Sequence, residues 1–176
     1  DRTARVWDAA TGEELLILRH EDGVIQAVWS ADEKRILTAS GLSIAPYRDG
    51  TARVWDATTG EELLTLRHEG WVSQATWNAE ESRILTASGD GTARVWDAAT
   101  GEELLILRPH STVAQATWST DESRILTANS NGMAQVWNAA AGNELLTLRH
   151  EDRVRLAMWS ADESRILTAS DDGMAR

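Results

Sequence analysis

The residues with the widest chemical range in this chain are four histidines, His20, His68, His110 and His150, with acids and hydroxyls recurring near them. Imidazoles grouped with carboxylates can hold a divalent cation, and a hydroxyl–imidazole–carboxylate set can act as a nucleophilic relay. The spacing argues against both. Each histidine belongs to a different copy of a repeated segment, hence to a different structural unit. Packed sheets stand ~10 Å apart and zinc takes its ligands at ~2 Å, so equivalent histidines cannot converge on one ion. Cysteine is absent, which removes thiol nucleophiles, thiolate-held zinc and disulfides. No Gly-rich loop leads from a strand into a helix to cradle phosphate. Carboxylate pairs such as Glu13-Glu14 and Asp32-Glu33 fall at strand ends, as a solvated face would place them. The expectation is no catalytic, cofactor or metal site, and no enzyme.

The elements that would position these residues are set by the tryptophans. The 176 residues include nine Trp, one Tyr and no Phe. Trp7, Trp55, Trp96 and Trp137 close segments of the form Thr/Met-Ala-Arg/Gln-Val-Trp-Asp/Asn, and Trp29, Trp77, Trp118 and Trp159 close a second recurring run. Both series advance by 48, 41 and 41 residues, the first step lengthened by the seven-residue insertion Leu42 to Arg48. Only Trp71 belongs to neither. Each period reads as four short strands separated by turn residues, for example Thr92 to Asp97, Glu103 to Arg108, Val113 to Trp118 and Arg124 to Asn129. No helical period is sustained. Four strands per repeat of ~40 residues point to an all-β propeller of four-stranded antiparallel blades.

The repeats resemble the WD-repeat family over essentially the whole chain. The resemblance rests on Val6-Trp7-Asp8, Val54-Trp55-Asp56, Val95-Trp96-Asp97 and the variant Val136-Trp137-Asn138, with Asp-Gly-Thr turns at Asp49 and Asp90. It implies a buried tetrad of His, Ser or Thr, Asp and Trp in each blade, drawn here from His20, His68, His110, His150, Ser88, Asp90, Trp55, Trp96 and Trp137. Asn131 replaces the Asp in one unit. In the family's strand order a to d, the chain starts on strand c and ends just after strand b. It therefore forms one unit over 1–176, with repeats at about 1–48, 49–89, 90–130 and 131–171 and an overlap at 172–176. One blade is split between the two ends, and a split blade exposes an unpaired edge. Pairing within the chain would close four blades; pairing between two chains would close eight; further repeats on a longer chain would also serve. The eight-bladed homodimer is the favoured expectation. Because the first residue is Asp1, the stretch is expected to be a piece of a longer gene product.

A formal charge of −11 disfavours nucleic acid and anionic membrane as partners, and the composition is that of a cytoplasmic protein. Eighteen of the 28 acids fall in the a–b and c–d turns, which would share one face. The copies differ most at the opposite face, beside strand a: Gly23, Trp71, Thr112 and Arg153 before it, Ile25, Ser73, Ala114 and Arg155 within it. Trp71, Tyr47, Arg48, Ile25, Ser73, Arg153 and Arg155 are therefore the candidate partner-binding residues. The function expected is a non-catalytic scaffold that binds a protein or peptide through these loops. The resemblance also admits a ligand-sensing propeller tail of a bacterial signalling protein, and the near-identical copies admit an amplified or designed fragment with no specific ligand.

Overall fold

A computed structural model describes residues 1–41 and 50–174. Among them every regular element is a strand. Three four-stranded antiparallel sheets follow one another along the chain: β3 (Val24–Trp29), β4 (Arg35–Ser40), β5 (Thr51–Asp56) and β6 (Glu62–Arg67); β7 (Val72–Trp77), β8 (Arg83–Ser88), β9 (Ala93–Asp97) and β10 (Glu103–Leu107); β11 (Val113–Trp118), β12 (Arg124–Asn129), β13 (Met133–Asn138) and β14 (Glu144–Arg149). Two hairpins flank them, β1 (Thr3–Trp7) with β2 (Glu14–Arg19), and β15 (Val154–Trp159) with β16 (Ile166–Ser170).

Burial explains the residue choice. Strands β4, β8 and β12 are buried over nearly their whole length, so they carry Ile, Leu, Thr and Ala without polar alternation. The outermost strands β6, β10 and β14 all begin exposed; β6 and β10 reach a buried leucine, Leu66 and Leu107, whereas β14 becomes only half-buried. At one facing position of strands b and c in each whole blade both partners are alanine: Ala39 faces Ala52, Ala87 faces Ala93 and Ala128 faces Ala134, all with no exposure.

The cores lie between blades. Leu37, Val54 and Leu66 of one sheet meet Val72, Ala75, Ile84 and Trp96 of the next, and the following junction repeats this with Trp137. In each whole blade the strand-c tryptophan thus packs backwards onto the preceding blade. Turn glycines do the same. A Cβ on Gly60 would touch Leu16 and Leu18, one on Gly101 would touch Leu64 and Leu66, and one on Gly142 would meet Leu105 at 2.8 Å.

The terminal hairpins stand apart, β1 bonded only to β2 and β16 only to β15. Trp7 is 52% exposed where Trp55 is 5%, and Leu167 is 50% exposed where Leu37 is fully buried. Head and tail strands do not pair within the chain, so the four-bladed closure is not formed.

Candidate functional site

The tetrad is complete in the blade of β7 to β10. His68 Nδ1 lies 3.0 Å from Asp90 Oδ2 and its Nε2 lies 2.7 Å from Thr86 Oγ1. Trp96 donates its indole N–H to the same Thr86 oxygen at 2.8 Å. Burial lowers the imidazole pKa, which keeps the ring neutral. The neutral ring then donates from Nδ1 to Asp90 and accepts the Thr86 hydroxyl proton at Nε2. Burial by itself would raise the Asp90 pKa, but hydrogen bonds from His68 and Thr92 hold it far below the usual carboxylate range.

Two tetrad expectations are corrected. The hydroxyl is Thr86, not Ser88; Ser88 Oγ instead donates to the carbonyl of Trp71 at 3.0 Å and accepts from the Asp90 amide. Both hydroxyls lie on the same face of β8, so spacing alone does not separate them. His110 also lies outside any tetrad. Pro109 stands at the equivalent of His68, and His110, at the equivalent of Glu69, is exposed with φ +63°. In that blade Trp137 still donates to Thr127 at 3.0 Å, without a histidine. His150 behaves like His68, with Thr168 at 2.7 Å and Asp172 at 3.0 Å, while His20 packs edge-on against Trp55 with ring centroids 5.4 Å apart. These groups are committed to holding strands together.

The acidic turns are equally committed. Asp8, Asp56 and Asp97 each accept two backbone amides of their own turn, and those amides lower the carboxyl pKa values. Glu81, Glu122 and Glu163 sit in left-handed backbone, where a glutamate is unusual. Each reaches the preceding blade: Glu122 takes the Ala79 amide at 2.8 Å and Arg83 at 2.7 Å, and Glu163 takes Arg124 at 2.7 Å. The face is more a set of inter-blade clamps than a bare charged surface.

The opposite loop face gathers the positions at which the copies differ. The residue after strand b donates its amide to the residue before strand a in each blade: Gly41 to Gly23, Gly89 to Trp71, Ser130 to Thr112 and Asp171 to Arg153, all at 2.8 to 3.0 Å. The variable positions thus form one varying pair per blade. The Trp71 ring lies flat on Gly89 of its own blade, where a Cβ would fall 2.5 Å from the ring, and stays half-exposed. Beside it runs a groove of about 410 Å³ lined by Gly89, Asp90, Arg108, His110, Ser111 and Thr112. Arg108 and His110 were not among the expected binding residues; the Pro109 that replaces the histidine of the other copies, with His110 one place later, was the available clue.

The remaining candidates divide. Ser73 is spent on structure, donating to the carbonyls of Ala87 and Val113. Arg155 pairs with Asp171, which cancels the positive spot expected there. Ile25 is 47% exposed, and Arg153 is half-buried. Tyr47 and Arg48 lie outside the described residues. Among the described residues, no three His, Asp or Glu side chains converge as metal ligands would.

A family model for the WD domain, G-beta repeat, matches residues 12–56, 60–97, 101–138 and 142–176. The chain belongs to the WD40 family. Each matched WD40 unit begins at a c–d turn; the first three take strand d of one blade and strands a to c of the next, and the fourth takes β14, β15 and β16, so that each joins two blades. WD40 propellers are typically non-enzymatic and generally bind proteins. No curated protein matches the chain in sequence. In fold it is similar to the crystal structure of the computationally designed Ika8 protein, with a TM-score of 0.83 at 24% identity, over 99% of this chain and 52% of that one. The chain therefore spans about half the length of that relative.

Proposed function

We propose that this chain is a non-catalytic interaction scaffold that binds a protein or peptide segment at the loop face around Trp71. The observation that carries this reading is the division of labour between faces. His68, His150 and their hydroxyl and carboxylate partners are engaged in tetrads, and Asp8, Asp56, Asp97, Glu81, Glu122 and Glu163 in turn caps and inter-blade clamps. Sequence differences gather at the paired loop positions, where Trp71 is laid over Gly89 beside a groove holding Arg108 and His110. A half-exposed indole on a rigid support is a suitable anchor. Arg108 and His110 suit a carboxylate on the bound segment.

Peptides selected from a random display library against the purified chain test this. Trp71→Ala should weaken the selected binders ~10-fold or more, and Glu80→Ala on the opposite face should leave them unchanged. Binders indifferent to Trp71 and Arg108 would refute the reading. The likeness to a computationally designed chain favours one second reading, a fold amplified or built for its own sake. That reading predicts that no selected peptide saves affinity at this face over any other.

A further inference from the structure

We infer, resting on the loop-face reading above, that the segment bound there is held by its main chain as well as by Trp71. It lies extended in the groove beside Gly89, donates a backbone N–H to the Gly91 carbonyl and sets an acidic group on Arg108.

The corner where strand d turns toward the next strand a is tied down in the other copies. His20 donates its amide to the Arg2 carbonyl at 2.9 Å, His68 to the Gly50 carbonyl at 2.7 Å and His150 to the Gly132 carbonyl at 2.8 Å. The remaining copy has Pro109 at this place, and proline has no N–H to give. Gly91 is the equivalent of Gly50 and Gly132, and its carbonyl receives no hydrogen bond among the described residues. The ladder stops early to match. Strands c and d pair as far as Thr3 with Arg19, Thr51 with Arg67 and Met133 with Arg149, but β9 and β10 end at Ala93 with Leu107. A Cβ on Gly50 or Gly132 would fall 2.6 Å from the carbonyl of His68 or His150, whereas one on Gly91 meets nothing nearer than 3.6 Å.

Two further ties are replaced on the other side of the corner. Arg53 donates to the Arg19 carbonyl and Arg94 to the Arg67 carbonyl, both at 3.4 Å. Their equivalent beside Arg108 is Gln135, which donates to Glu144 instead. The Glu69 and Glu151 amides bond the carboxylates of Asp90 and Asp172. For His110 the equivalent side chain is Asn131, whose Nδ2 lies 3.7 Å from the Met133 sulfur. Pro109, Gln135 and Asn131 together release one corner, and the groove of about 410 Å³ opens there.

The two lips of the groove select the occupant. One lip carries the Gly91 carbonyl, an acceptor that the fold meets with a backbone amide at the other junctions; an extended peptide supplies the same group. The other lip carries Arg108 and His110, both exposed, whose N–H groups suit a carboxylate. Asp90, also in the lining, spends its carboxylate on His68, Thr92 and Arg94. A small free anion would meet the donors and leave the Gly91 carbonyl unmet, so it is the poorer occupant. The Trp71 ring lies on Gly89, two residues before Gly91, so one segment reaches both the indole and the carbonyl.

The test takes the tightest peptide selected on the parent chain and replaces each of its amide N–H groups in turn by an ester oxygen. One ester should weaken binding ~10-fold. Pro109→Ala returns an amide to the corner. That amide should exchange slowly in the free protein, the peptide should bind it ~10-fold more weakly, and the sensitive ester should then cost little more. A flat ester scan, or a Pro109→Ala chain that binds the peptide undiminished, would overturn the inference. If Trp71→Ala still weakens the peptide in that case, the loop-face reading stands without it. A peptide that responds to the ester and to Pro109→Ala but not to Trp71→Ala would uphold main-chain recognition and remove Trp71 from the site. A library that yields no binder would overturn both.

Discussion

Trp96 and Thr86 are joined by a 2.8 Å hydrogen bond from indole to hydroxyl, and the same hydroxyl donates to His68. One oxygen therefore couples strand c, strand b and the loop before strand a. The blade of β11 to β14 keeps the Trp137–Thr127 bond but has Pro109 where the histidine would stand. The molecule contains its own comparison between a full tetrad and a truncated one.

Thr86→Val should leave both the Trp96 N–H and the His68 Nε2 buried without a partner, costing ~2–4 kcal/mol. Thr127→Val strands only the Trp137 N–H and should cost ~1–2 kcal/mol. Urea unfolding midpoints of the two variants compare them directly. Equal losses would mean that the histidine adds nothing to the blade.

Acid should weaken the fold in two stages. Burial puts the folded-state pKa of His68 below its ordinary 6.5, so the unfolded chain takes up the proton first. The stability linked to His68 is whole above pH 6.5 and is lost as pH falls below it. Asp90, also lowered from an ordinary 3.8, adds a further loss below that value. Between pH 7 and pH 5, a His68→Gln variant should lose less stability than the parent chain, measured by denaturation at each pH. Parallel slopes would contradict this.

Glu122 bridges Asn78, the Ala79 amide and Arg83 of the preceding blade. Removing it in Glu122→Ala should cost ~1–2 kcal/mol, against no more than ~0.5 kcal/mol for the nearby Glu80→Ala. A thermal melt of each variant tests whether these turn acids act as clamps or as a solvated fringe.

Gly89→Ala should lift the Trp71 ring, because the new methyl would fall 2.5 Å from it. Acrylamide quenching of tryptophan emission should rise in this variant. The same substitution in a Trp71→Ala background should change quenching little. An unchanged signal in the first case would mean that the indole is not seated on Gly89.

Most of the architecture was legible because the repeat is legible. A tryptophan every 41 residues with four strand-like runs between leaves little room for another fold, and the split blade follows from the phase of the repeat at the two ends. Chemistry within the blade was less legible. Thr86 and Ser88 share a strand face, and the choice between them is made by the diagonal reach of Trp96 across the sheet. His110 reads as one more copy of His68 until the 41-residue step is counted, which puts Pro109 at the place of His68. The acidic turns look like a charged surface because sequence shows neither the left-handed backbone at Glu81 and Glu122 nor the arginines of the neighbouring blade. Ser73 and Arg155 look available because their partners, the Val113 carbonyl and Asp171, come from the next blade and from the turn after β16.

The central claim is that the loop face around Trp71 binds a protein segment while the rest of the blade is spent on holding strands together. Titration of a selected peptide against the parent chain and Trp71→Ala by calorimetry tests it most directly. The account predicts a ~10-fold or greater loss of affinity in the variant. An unchanged affinity would contradict it.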